Sequence, residues 1–177
     1  MANPQLANAD TFKDKRFYGE VNLQGIRIGE LLVEQGILTQ KQVDHILRVQ
    51  QASHRPFGDL AEKLYDISAR AIEDAWVEQY VRVAGIVDLD DVRIDINCLR
   101  LLNRRQAWQF HLLPVTRQGQ ELNLATTPEK LVRSVNFSTR TFNEPVYLLM
   151  ADRQQLLEFL MKHYPVPEHI AQYAEKM

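Results

Sequence analysis

Two stretches of this chain repeat one another in register, and that repeat constrains the fold more than any other feature. Arg27 to Gln50 reads RIGELLVEQGILTQKQVDHILRVQ, and Pro56 to Gln79 reads PFGDLAEKLYDISARAIEDAWVEQ. Five residues, Gln51 to Arg55, separate them. Gly29 maps onto Gly58 and Gln50 onto Gln79, both at an offset of 29. Each copy predicts two helices around a tight turn. In the first, Ile28, Leu31 and Leu32 recur at the spacing of one helix face. Gly36 suits the left-handed residue that ends a helix, where a side chain would crowd the backbone. Thr39 can cap the next helix, with Gln42 completing a capping box. Val43, Ile46, Leu47 and Gln50 then share a face. In the second copy Ser68 is the matching cap, and Ile72, Ala75, Trp76 and Gln79 make the matching face. Neither hairpin can bury its apolar stripe alone, so the two are expected to pack as a small helical bundle. Forming a core is by itself sufficient reason for such a repeat.

Downstream of Tyr80 the pattern changes. Asn97 to Phe110 reads as one or two short helices, with Leu99, Leu101, Leu102, Trp108 and Phe110 as core candidates. Leu112 to Thr116 and Glu121 to Thr126 read as strands joined by a short polar link containing Gly119. Pro114 demotes the first of these to an edge position or a bulge. Pro128 can open a helix running to about Ser138. Pro145 to Met150 reads as a third strand, and Asp152 to Tyr164 as a final amphipathic helix. The expected class is therefore α+β: a helical-hairpin repeat bundle followed by a small α/β domain. The expected divisions are a flexible arm over 1–24, the repeat over 25–84, the α/β part over 85–164 and a tail over 165–177.

Composition narrows the function. Hydrophobic residues make up 45% of the 177, enough to build a core. The net charge is −2, which argues against bulk nucleic-acid binding but leaves room for a small anion held by one or two cations. No GxxxxGK[ST] loop is present, which excludes P-loop nucleotide hydrolysis. Cys98 is the single cysteine, so no internal disulfide can form, a thiol zinc cage is not expected and a reducing cytosol fits best. No apolar run approaches the roughly 20 residues of a membrane span, so direct membrane insertion is not expected. The five histidines, His45, His54, His111, His163 and His169, lack metal-ligand spacing and read as surface or capping residues. Asp88, Asp90 and Asp91 read as a solvated loop, with no EF-hand pattern around them. Ser53, His54 and Cys98 lack nucleophile context. An enzyme is not expected.

The repeat resembles the MshEN domain, the N-terminal domain of many type II secretion and type IV pilus assembly ATPases. That domain also occurs as an appendage of membrane glycosyltransferases. Its motif, RLGxxLxxxGxxxxxxLxxxLxxQ, occurs twice with a five-residue spacer. The first copy here matches at Arg27, Gly29, Leu32, Gly36, Leu47 and Gln50, with Ile28 and Val43 as mild apolar replacements. The second keeps Gly58 and Gln79, with Ile72 a mild replacement, but departs elsewhere. Pro56 stands in the arginine position, with Arg55 one residue earlier. Phe57 and Trp76 are larger than the family's leucines, Ala61 is smaller, and Tyr65 replaces the second glycine. A left-handed conformation at Tyr65 would cost about 1–2 kcal/mol, so a different turn is expected there. Leu113-Pro114-Val115 and Leu124 to Pro128 are also similar to the family, so the resemblance covers about Gly25 to Tyr164.

Family members with both motifs bind cyclic di-GMP, and the resemblance implies that ligand here, with no other cofactor and no metal. The implied contacts are Arg27, Ile28, Gly29, Leu32, Gly36, Leu47, Gln50, Arg55, Gly58 and Gln79. Their chemistry suits it. Glycine at a helix start lets backbone N–H groups approach a phosphate. Arg27 can stack on a guanine or pair with its O6 and N7 edge. Gln50 and Gln79 offer neutral donors and acceptors. Leu32 and Leu47 can grip a flat base. Equally, both leucines can be core and Arg27 a solvated charge. The ATPase that follows this domain in secretion systems is missing from the 177 residues, so a stand-alone cytoplasmic regulatory module is expected. It would act on an effector protein of a secretion or pilus system, or on a membrane glycosyltransferase. The alternative is a docking module whose pocket is filled by Pro56, Tyr65 and Trp76.

Overall fold

The computed structural model of the chain describes residues 27–167. The arm expected over 1–24, most of the tail and His169 lie outside the described residues. The described residues form two compact units, divided between Val83 and Ala84.

The first unit is the repeat. Helix α1 spans Ile28–Glu34 and α2 spans Gln40–Ser53, while α3 spans Phe57–Tyr65 and α4 spans Ala69–Ala84. The helices of the second hairpin start 29 residues after those of the first, the offset found in the text. Capping sets both starts of the longer helices. Gln42 Oε1 accepts from Thr39 N–H at 2.7 Å, and Thr39 Oγ1 accepts from Gln42 N–H at 3.4 Å. Ser68 Oγ accepts from Ala71 N–H at 3.2 Å. Leu31, Leu32, Ile46, Ala61 and Ala75 are fully buried together, flanked by Leu38, Val43 and Leu60. Each buried leucine or isoleucine favours the fold by about 1.5–3 kcal/mol over exposure.

The two hairpins differ at their turns. In the first, Gln35 follows α1 and Gly36 takes φ +69°. In the second, Tyr65 stays helical and the left-handed residue is Asp66, at φ +55°. Aspartate tolerates that region far better than a bulky aromatic residue. The turn has thus moved one residue along, α3 is longer than α1, and Tyr65 avoids the strained conformation.

The second unit carries the sheet. After β1 (Ile86–Val87) come α5 (Ile96–Leu99), α6 (Arg104–Phe110), β2 (Leu113–Gln118) and β3 (Glu121–Thr126). A 3-10 turn, Pro128–Lys130, leads into α7 (Leu131–Thr141), β4 (Val146–Ala151) and α8 (Arg153–His163). Strand order is β1-β4-β3-β2. β4 pairs in parallel with both β1 and β3, and β2 is antiparallel to β3. The β2–β3 link turns at Gly119, φ +59°. Pro114 has both of its expected consequences: β2 lies at the sheet edge, and its register shifts between Pro114 and Thr116.

β1 was not foreseen. Two residues in an Asp-rich segment carry no periodic signal, and they become a strand only because β4 lies alongside (Ile86 opposite Met150). The aspartates beside it are held by α8. Gln155 Nε2 donates to both Asp88 and Asp90, and Leu89 N–H donates to Gln155 Oε1 at 2.8 Å. The Gln155 bond, then that from Asp90 N–H, holds the Asp88 carboxyl below its ordinary pKa. At the other end of α8, Trp108 Nε1 donates to Tyr164 O at 2.7 Å, and Tyr164 Oη donates to Leu99 O at 2.5 Å.

Candidate functional site

All ten residues implied as ligand contacts lie in the repeat unit. Arg27 is exposed and takes the position before α1, where its own N–H donates to Glu30 Oε2 at 2.9 Å. Its guanidinium is therefore not needed to start the helix. Ile28 is half-buried at the first position of α1 and packs on the core.

Gly29 and Gly58 have a structural role that their spacing did not reveal. A Cβ on Gly29 would stand 2.9 Å from Val43 Cγ1 and 3.3 Å from Phe57 Cζ. A Cβ on Gly58 would stand 2.9 Å from Ile72 Cγ2. Val43 and Ile72 are themselves equivalent positions of the repeat. The same close approach of the first helix to the second is thus built twice, and it requires glycine. The Phe57 ring beside Gly29 also brings the starts of α1 and α3 together.

Leu32 is fully buried inside the bundle, so its expected grip on a flat base is not presented at the surface: it is core. Leu47 differs, being 37% exposed on α2. Trp76, its repeat equivalent, is half-buried and lies beside Tyr80 on its own helix, ring centroids 5.9 Å apart. Gln50 reaches across the spacer, its Nε2 donating to Arg55 O at 3.1 Å. Left-handed His54, φ +54°, ends α2 just before it. Gln50 thereby sets the path that brings Arg55, exposed, to the start of α3. Gly36 is exposed in the first turn, Gly58 is half-buried in α3, and Gln79 is half-buried on α4.

One contact of this region was missed by sequence reasoning. Tyr65 Oη and His45 Nδ1 are hydrogen-bonded at 2.6 Å, with the rings edge to face. This joins α3 to α2, hence one hairpin to the other. The only signal in the text was the departure of Tyr65 from the family's glycine. Among the described residues no group of three acidic, histidine or cysteine side chains is arranged to hold a metal ion. No helix among them is long and apolar enough to cross a membrane.

Comparisons with known proteins reach both solved structures and a family model. Among curated proteins no relative matches the chain. Solved structures that the chain matches include one of MshE with cdg, 25% identical, covering 78% of this chain and 99% of that one at a TM-score of 0.45. Two crystal forms of the N-terminal domain of XpsE are each 22% identical. They cover 78% of this chain and 93% and 94% of theirs, at TM-scores of 0.41 and 0.40. The family model of the MshEN domain matches residues 80–170, beginning immediately after Gln79. The match covers the sheet and its helices, whereas every residue implied as a ligand contact precedes it. That match takes in more than half of the chain, and the chain belongs to the MshEN domain family.

Proposed function

We propose that the chain is a cytoplasmic receptor for cyclic di-GMP, a regulatory module that acts through a partner protein or an attached domain. One observation carries this reading: the two hairpins repeat in register down to the Gly29–Val43 and Gly58–Ile72 approaches. A ligand with two equivalent halves is matched by two equivalent helical hairpins. Exposed Arg27 and Arg55 stand at the starts of α1 and α3, the ends of a helix that favour an anion. Exposed Leu47 offers an apolar surface to a base. None of these groups does bond-breaking chemistry, so the module binds and releases.

A second reading is a docking module of a secretion or pilus system that does not bind the nucleotide. The Tyr65–His45 bond favours it, because it occupies space between the hairpins with side chains.

Calorimetric titration of the purified chain with cyclic di-GMP separates the two. Heat with saturable binding supports the receptor. A folded sample that gives no heat at high micromolar ligand leaves the docking module. Arg27→Ala should weaken binding at least tenfold, about 1.4 kcal/mol, with an unchanged melting curve. Unaltered affinity would remove Arg27 from the site.

A further inference from the structure

The second unit has a groove of its own, far in the chain from the repeat. It has a volume of about 280 Å³ and is lined by Phe110, Arg133, Asn136, Phe137 and Arg140. Its apolar part is a stacked pair, Phe110 of α6 on Phe137 of α7, centroids 4.2 Å apart and 23° between planes. Phe142 meets Phe137 edge-on. Arg133 and Arg140 stand on either side of Phe137 along α7, and both are exposed. They are seven positions apart in the helix, about 10 Å along the axis.

These two arginines differ from the three that carboxylates hold. Arg117 is paired with Glu144, Arg82 with Glu34 and Glu78, and Arg70 with Asp74. Among the described residues no carboxylate lies within ion-pair distance of Arg133 or Arg140, and α7 contains no acidic residue. Burial first, then the charges of Arg133 and Arg153, push the Lys130 ammonium below its ordinary pKa, against the opposing charge of Glu129. Two guanidiniums flanking an aromatic floor present a complementary surface to two carboxylates flanking an apolar side chain. The groove is open along a helix, which suits a peptide better than an enclosed small molecule.

We propose that this groove docks an acidic peptide segment of a partner protein, an apolar side chain seated on Phe110 and Phe137 and a carboxylate on each of Arg133 and Arg140. The inference rests on the reading that the module acts through a partner, and is independent of the nucleotide. The test is fluorescence anisotropy on the full chain. The probe is a labelled helical peptide with glutamates seven residues apart and phenylalanine midway. It should bind saturably, and more weakly as salt rises. The double variant Arg133→Glu/Arg140→Glu should bind it at least tenfold less well, and should prefer the same peptide with lysines in place of the glutamates. Both positions are exposed, so the fold and the cyclic di-GMP titration should be unchanged. Absence of binding, or equal binding of the glutamate and lysine peptides by the unaltered chain, overturns the proposal. Glu168 and Glu175 of this chain are also seven residues apart. A chain ending at Pro167 that binds the probe tenfold more tightly would make that segment the occupant and overturn the assignment to a partner.

Discussion

Gly29 and Gly36 are both motif glycines, yet they are needed for different reasons. Gly36 has open space around it and a φ of +69°, so its constraint is conformational. Gly29 has ordinary helical geometry and no room, so its constraint is steric. Val43 is buried and β-branched, so it cannot swing away from an added methyl group. Gly29→Ala should therefore cost about 1–3 kcal/mol from overpacking, partly offset by about 1 kcal/mol of helix propensity. Gly36→Ala should cost about 1–2 kcal/mol. Urea denaturation distinguishes the two causes through a second substitution. Val43→Ala should recover part of the loss in the Gly29 variant and none in the Gly36 variant. Equal behaviour of both double variants would refute the steric explanation. The sequence showed Gly36 as a left-handed turn residue but not the crowding at Gly29, because the neighbour that crowds Gly29 lies on another helix.

At the scale of elements, the altered second copy resolves its conflicts by moving its turn. Tyr65 replaces a glycine, and the left-handed residue passes to Asp66. Asp66→Gly should then raise stability by up to about 1 kcal/mol, whereas Asp66→Val should lower it by about 1–2 kcal/mol. A loss on Asp66→Gly, seen in urea denaturation, would contradict the moved turn. Freed from the turn, Tyr65 bonds His45 between the hairpins. Tyr65→Phe should lower stability by about 0.5–1.5 kcal/mol. Its effect on the cyclic di-GMP titration also bears on the two readings of function: a gain in affinity would mean that Tyr65 encumbers the pocket. In the second unit, β3 matches its expected range Glu121–Thr126, and β2, β4, α7 and α8 shift at one end or both. These elements were legible because alternation, proline and glycine act locally. β1 was illegible because its strand character comes wholly from β4.

At the scale of the molecule, the second unit is closed by residues distant in sequence. Tyr164 ends α8, takes the Trp108 indole N–H on its carbonyl and gives its hydroxyl to Leu99 O. Burial pushes its phenol pKa up to about 12 from 10.0. The neutral form is the one the fold favours. The stability it contributes is complete below pH 10 and is lost as pH rises from about 10 through 12. Unfolding midpoints measured across that range should fall in the natural chain and fall less in Tyr164→Phe, which is less stable at neutral pH. Parallel curves would show that Tyr164 is not the linked group. The sequence by itself determined the helical repeat, its register, its caps and the hairpin of the sheet, because spacing, capping and turn chemistry act over a few residues. The resemblance in that text anticipated the family, although the family match rests on residues 80–170. Only the tertiary structure decided that Leu32 is core while Leu47 faces outward, that Gly29 and Gly58 are packing residues, that Tyr65 joins the hairpins, and that Arg133 and Arg140 flank one aromatic floor. Each of these depends on which helix lies opposite, and that follows from packing the whole chain rather than from any one segment of it.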